Sequence, residues 1–304
     1  MLSTHLGELA SLATAILWTV SSIFFTSAGK RIGALPVSFL RIVIACVLLV
    51  ACTPLAAGRW LPADADGRAW LLLGISGFLG FFLCDVCLFK AMLLIGPRRV
   101  LLIFSLTPPI AALASFVIGD ALSLRSWVAM AITLAGVAWV VLERPNHDEE
   151  PPIPGMSLLK AHRCGVALAL FATATSAIGM VVSREVMLDY HNVAGATLIR
   201  ALAALPGYVV LTTAWRRWRV LFLVLRDPPA RTALGIGSVL GSFGGSLLMM
   251  VGLRYSSAGV VTTITATMPV LILPLSIAVY HERISFRAVA GAVVAVAGVA
   301  LLML

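Results

Sequence analysis

The chain has 304 residues, of which 61% are hydrophobic and 12% charged, with mean hydropathy +1.04 and formal net charge +9. A soluble domain runs about 45–50% apolar and about 25% charged, so these charges are too few to cover a water-facing surface, and a polytopic membrane protein is expected instead. The positive balance does not point to nucleic acid. The bases lie scattered in short loops, densest in "WRRWRVLFLVLR" (Arg216, Arg217, Arg219, Arg226), where they orient membrane segments and meet anionic lipid.

A helix of about 20 apolar residues crosses a hydrocarbon core of about 30 Å. The apolar runs predict ten such spans. The first, 7–28, has no Lys or Arg before it and exceeds the roughly 7–15-residue core of a signal peptide, so it is expected to be retained; Trp18 sits at its middle. The second, 36–55, carries Arg41 near its start. The third, 69–93, holds Gly74, Gly77 and Gly80, the rings of Phe78, Phe81 and Phe82, and then Asp85 and Lys90. The fourth, 97–118, is interrupted at Pro108 and Pro109 beside Ser105 and Thr107, and the fifth is 124–143. Residues 144–163, "RPNHDEEPPIPGMSLLKAHR", hold three consecutive acids and four prolines and read as a polar linker. Span six is 164–187, and span seven, 193–214, carries Arg200. Span eight, 231–253, carries Gly237, Gly241 and Gly245 at every fourth residue, followed by Ser246. Span nine, 257–279, contains Thr262, Thr263, Thr265, Thr267, Pro269 and Pro274, and span ten is 284–304. Trp60, Trp70, Trp215 and Trp218 fall near span ends, where amphipathic rings anchor at the membrane interface. All five cysteines lie in or at the start of apolar runs and read as packing residues; Cys84-x-x-Cys87 lacks the βαβ context of a redox motif.

The two halves are related. Gly74, Gly80 and Pro108 recur as Gly235, Gly241 and Pro269 at an offset of 161, Arg41 as Arg200 at 159, and "AGVA" at 135–138 and 297–300. Collinear matches of this kind argue for a duplicated unit: 1–143, a linker at 144–163, and 164–304. With five spans per copy, the second copy enters the membrane from the opposite side. The expected fold is therefore an all-α membrane protein of ten transmembrane helices in two inverted-topology five-helix repeats, a transporter architecture. Loops on the terminus-bearing side carry about five Lys and Arg and those on the other side about fifteen, which by the positive-inside rule places both termini outside.

Ionisable groups inside spans are costly and are functional candidates by default. Asp85 is the deepest, and Arg41 lies within reach of it. The two either satisfy each other structurally, or Asp85 meets substrate or a proton. Arg200 has no evident acid, because Ser246 stands where Asp85 stands in the first copy. Lys90, near a helix end, is expected to snorkel. Gly77, Phe81 and Asp85 share one helical face, which with Phe78 and Trp18 suits a zwitterionic or cationic aromatic solute. Pro108 and Pro269 free backbone carbonyls that must face protein or a wet cavity; with Ser105, Thr107, Thr263 and Thr267 they mark a translocation path. No nucleophile–base set, metal-ligand cluster or cofactor motif is present in the sequence, so neither an enzyme nor a cofactor is expected.

Two stretches place an acid, then Ser three residues on and Arg five residues on, before a Gly-rich span: "GDALSLRSWVAMAITLAGVAWVVLE" (Asp120, Ser123, Arg125) and "ERISFRAVAGAVVAVAGVALL" (Glu282, Ser285, Arg287). With the paired Arg and Pro positions, they resemble the EamA-type members of the drug/metabolite transporter superfamily over nearly the full length. The length and the aromatic third span look most like aromatic amino-acid exporters of the YddG type. The resemblance implies alternating-access export of small organic solutes, aromatic amino acids foremost; alternatives are proton-coupled drug or quaternary-amine efflux, or carriage of a nucleotide-sugar. It also implies a bacterial inner membrane, scaffold roles for spans five and ten, and both termini cytoplasmic, opposite to the loop count. A chain holding both copies is a complete carrier, so a monomer suffices.

Overall fold

The computed structural model describes residues 5–57, 60–118, 124–141, 156–280 and 286–303. Among them the chain is helical throughout, with no strand. Seven helical stretches are long and apolar enough to cross a membrane: Leu6–Ile32, Ala34–Pro54, Gly67–Phe104, Leu158–Asp189, Val193–Ala214, Pro228–Tyr255 and Ala258–Leu275. Two further apolar helices, Leu124–Val141 and Phe286–Met303, have 18 residues each. Asp120, Ser123, Glu282 and Ser285 of the repeated punctuation lie outside the described residues, as does most of the linker. The linker ends earlier than its composition indicates: helix begins at Leu158, because the Ser157 hydroxyl accepts from the Lys160 amide and starts it there.

In chain order the helices are α1 (Leu6–Ile32), α2 (Ala34–Ala57), α3 (Gly67–Gly77), α4 (Cys84–Phe104), α5 (Thr107–Ile118), α6 (Leu124–Val141), α7 (Leu158–Asp189), α8 (Val193–Ala214), α9 (Trp218–Leu221), α10 (Leu223–Arg226), α11 (Pro228–Gly237), α12 (Ser246–Tyr255), α13 (Ala258–Thr265), α14 (Met268–Tyr280) and α15 (Phe286–Met303). Two π-helical segments join α3 to α4 (Phe78–Leu83) and α11 to α12 (Ser238–Gly245). Polar caps start several helices at loops. Asp66 accepts from the Ala69 amide, Asn192 from Gly195 and Asp227 from Ala230, which satisfies amides that have no partner within the helix.

The interruptions repeat between the halves. Helix α4 turns at Gly96, whose φ of 79° is open to glycine; the matching turn between α12 and α13 falls at Ser256–Ser257. Further on, both halves break at the same offset of 161. Leu106 donates to Ile103 and Ile110 to Leu106; Thr267 donates to Ile264 and Leu271 to Thr267. Pro108 and Pro269 then occupy the first turns of α5 and α14, where a missing N–H costs nothing. The break thus precedes the proline in each copy, and the prolines end no helix.

Packing is reciprocal as well. The α1 helix lies along α11, its π segment and α12, while α7 lies along α3, its π segment and α4; α2 packs on α8, α5 on α13, and α6 on α15. The last pair meets through glycines. A Cβ on Gly136 would stand 2.5 Å from the Ala295 nitrogen and 2.9 Å from the Gly291 carbonyl oxygen. One on Gly298 would stand 2.6 Å from the Thr133 nitrogen and 3.0 Å from the Ala129 carbonyl oxygen. These are the same positions, exchanged between the copies. With no hydrophobic drive in lipid, such close backbone approach supplies the van der Waals contact that holds membrane helices together.

Candidate functional site

The π segments shape the centre of the bundle. A π turn leaves carbonyls without their usual α-helical donors, and side chains from neighbouring helices supply new ones. Tyr208 on α8 donates to the Phe81 carbonyl at 2.9 Å. Trp18 on α1 donates to Gly241 at 3.2 Å and Thr14 to Gly245 at 3.3 Å. Gly237, Gly241 and Gly245 present a bare face to Phe25, Ser21 and Trp18, and an added Cβ would come within 2.8, 2.3 and 2.6 Å of those side chains. The two segments are thereby locked on α8 and α1, and the residues just after them, Asp85 and Ser246, are turned inward.

Between these elements lies a cavity of about 80 Å³. That is room for several waters and less than the roughly 300–1,000 Å³ of a drug-sized ligand pocket. Its wall carries five aromatic rings, Trp18, Phe25, Phe81, Phe89 and Phe104, four methionines including Met180 and Met249, and the hydroxyls of Ser21, Ser22, Ser176 and Ser246. Three charged residues complete it: Arg41, Asp85 and Arg200.

The charges are arranged unequally. Arg41 is 7% exposed and Asp85 5%. Arg41 Nη2 donates to Asp85 Oδ2, and Nη1 donates to Ser242 Oγ at 2.9 Å, so one guanidinium ties α2 to both π regions. It also lies 4.9 Å from the Phe89 ring centroid and 5.6 Å from that of Phe25. Charge-assisted hydrogen bonds and cation–π contacts offset the several kcal/mol lost on burying each ion. Arg200, 2% exposed, forms no ion pair with any described carboxylate. Its Cζ sits 4.6 Å from the Phe81 ring, its Nη1 lies 3.8 Å from the Met250 sulfur, and its Nε, like that of Arg41, has no partner among the described residues.

Of the residues singled out from sequence, Trp18, Phe81, Asp85, Ser246, Arg41 and Arg200 come together on this wall. The others stand elsewhere in this conformation. Gly77 packs against the Arg200 backbone, and Phe78 faces outward, 41% exposed, against Phe82. The hydroxyls of Ser105, Thr107 and Thr267 donate to the carbonyls of Leu102, Phe104 and Ile264, three residues back, at the break in each half. Pro108, Pro269 and Thr263 are buried off the cavity. Lys90 is exposed on the outer face of α4. Phe25, Phe89, Ser176 and Ser242 belong to the site without having been singled out. The signal for two of them was available: Ser242 and Phe89 are the counterparts, at an offset of 161, of Phe81 and Met250 around the other arginine.

One end of the bundle is held by polar contacts. Arg184 donates to the Leu253 carbonyl at 2.8 Å, Arg254 to that of His191, and Tyr190 to Asp64 at 3.0 Å. Burial and the Asp64 carboxylate both push the Tyr190 phenol up from its ordinary pKa. At the other end, Arg31 pairs with Asp227 at 3.4 Å.

A bundle of apolar helices packed around a small, charged, ring-lined cavity is that of a multi-pass membrane transporter. The chain belongs to the EamA-like transporter family, whose model matches twice, over residues 5–142 and 163–304. An uncharacterized transporter of Archaeoglobus fulgidus is 26% identical over 301 residues, 97% of each chain. In fold alone, a solved structure described as "Crystal structure of protein" is similar, with TM-score 0.63 at 19% identity over 97% of this chain and 95% of that one. Family and relative both indicate a transporter rather than an enzyme.

Proposed function

We propose that the protein exports small organic solutes, aromatic amino acids foremost, by alternating access through the central cavity. The observation that carries this reading is the cavity wall, where five aromatic rings stand beside two guanidinium groups and a carboxylate. Rings offer offset and edge contacts to an aromatic side chain, and the charged groups offer partners to a zwitterion.

The path is read as ten spans in two inverted repeats, 1–143 and 164–304, in a bacterial inner membrane. The double family match, the paired π segments, the paired breaks at an offset of 161 and the reciprocal α6–α15 crossing support it. If one copy opens the cavity to one side, its inverted twin opens it to the other. A cavity of about 80 Å³ suits a conformation closed around its centre. Purified protein in liposomes is expected to take up labelled phenylalanine or tryptophan saturably. Movement of a nucleotide-sugar or a quaternary amine with no amino acid carried overturns the substrate reading.

A second reading concerns energy. Of the described carboxylates, Asp85 alone lines the cavity, so a proton exchanged with the export cycle has its natural place there. Transport that is unchanged in Asp85→Asn and indifferent to an imposed pH gradient contradicts that role.

A further inference from the structure

We propose that Arg200 is the receptor for the carboxylate of the transported solute, and that the solute's amino group is dispensable for recognition; this rests on the reading of the cavity as the substrate site. The two arginines sit in equivalent cradles. Arg41 touches Phe89 and Ser242 and is paired with Asp85. Arg200 touches Met250 and Phe81, the residues that match Phe89 and Ser242 at an offset of 161. The match to Asp85 is Ser246, which lines the cavity but carries no charge. The second cradle therefore has the cation, its aromatic platform and the open space, and lacks the acid.

Charge balance points the same way. The wall holds two guanidinium groups and one carboxylate, and that carboxylate is already bonded to Arg41. A solute anion restores neutrality, a zwitterion leaves the net balance unchanged but sets its carboxylate against the excess cation, and a solute cation adds to an excess positive charge in a low-dielectric site. Gly80 leaves the guanidinium its position: a Cβ there would stand 3.0 Å from Arg200 Nη2. The planar guanidinium fork, paired with no described carboxylate, matches the two oxygens of a carboxylate.

The test is competition against labelled phenylalanine counterflow by the full chain in liposomes, with unfolding temperature measured in parallel. The competitors are 3-phenylpropanoate, which lacks the amino group, and phenethylamine, which lacks the carboxylate. The expected result is that 3-phenylpropanoate competes within about tenfold of phenylalanine and phenethylamine at least about 100-fold more weakly, because only the latter leaves the buried donors unpaired. Ser246→Asp supplies the missing acid; it should unfold at or above the wild-type temperature and lose the response to 3-phenylpropanoate by at least about 100-fold. If that variant does not fold, Arg200→Lys decides, with about tenfold weaker binding of 3-phenylpropanoate expected from loss of the fork. Phenethylamine competing as well as phenylalanine, no effect of 3-phenylpropanoate, or an undiminished response in Ser246→Asp (in Arg200→Lys, should Ser246→Asp not fold) overturns the proposal. If phenylalanine is not carried while 3-phenylpropanoate still raises the unfolding temperature of the wild type and not of Ser246→Asp, the amino-acid reading falls and the carboxylate site stands. If phenylalanine is carried and the two competitors act alike, the carboxylate site falls and the amino-acid reading stands.

Discussion

Removing the Asp85 carboxylate leaves Arg41 buried at 7% exposure with only Ser242 and two rings to hold it. An uncompensated buried charge costs about 3–5 kcal/mol, so Asp85→Asn should lower the unfolding temperature clearly. Adding Arg41→Gln removes the stranded charge and should recover part of that loss. Additive losses in the double variant, with no coupling of at least about 1 kcal/mol, would show that the pair is not a unit. The proximity of these two residues was legible, because Arg41 and Asp85 lie at compatible depths in adjacent spans. The isolation of Arg200 was legible too, since no acid matches it in the second copy. Several hydroxyls stand off the cavity for a physical reason: Ser105, Thr107 and Thr267 donate to carbonyls three residues back, at the break in each half, at 2.6–2.7 Å. Such bonding competes with any role toward a cavity and leaves no trace in residue type.

Glycines that look alike in sequence differ sharply in what they touch. A Cβ on Gly77 would lie 2.1 Å from the Arg200 carbonyl oxygen, a backbone atom that cannot step aside, whereas one on Gly74 meets only the Ala203 methyl at 3.9 Å. Gly77→Ala should therefore destabilise by about 1–3 kcal/mol or more, and Gly74→Ala should be neutral or stabilising by up to about 1 kcal/mol. Thermal unfolding of the two purified variants checks this; equal midpoints would contradict the packing described for the α3–α8 contact. The prolines lie two to three residues past the break in each half rather than at it, and most of the long apolar helices could be read from apolar runs. The π segments could not, because their wide turns depend on donors from other helices, Tyr208 for one and Trp18 and Thr14 for the other. Missing them misplaces Phe78, which the structure turns outward while Phe81 and Asp85 face in.

The reciprocal contacts of α1 with α11–α12 and of α7 with α3–α4 set one cavity at the meeting of the two halves. Residues from α1, α2, α4, α7, α8, α12 and α14 share its wall, so both halves contribute to it. The alternating access proposed above would expose the site to one side at a time, and solute on the far side would then speed exchange, which an open pore does not do. The most direct test loads proteoliposomes with unlabelled phenylalanine and follows entry of labelled phenylalanine. Saturable uptake that rises transiently above equilibrium when the lumen is loaded, and is absent from protein-free vesicles, is the predicted result; uptake that does not saturate, or is indifferent to the lumenal solute, would contradict alternating access through this cavity.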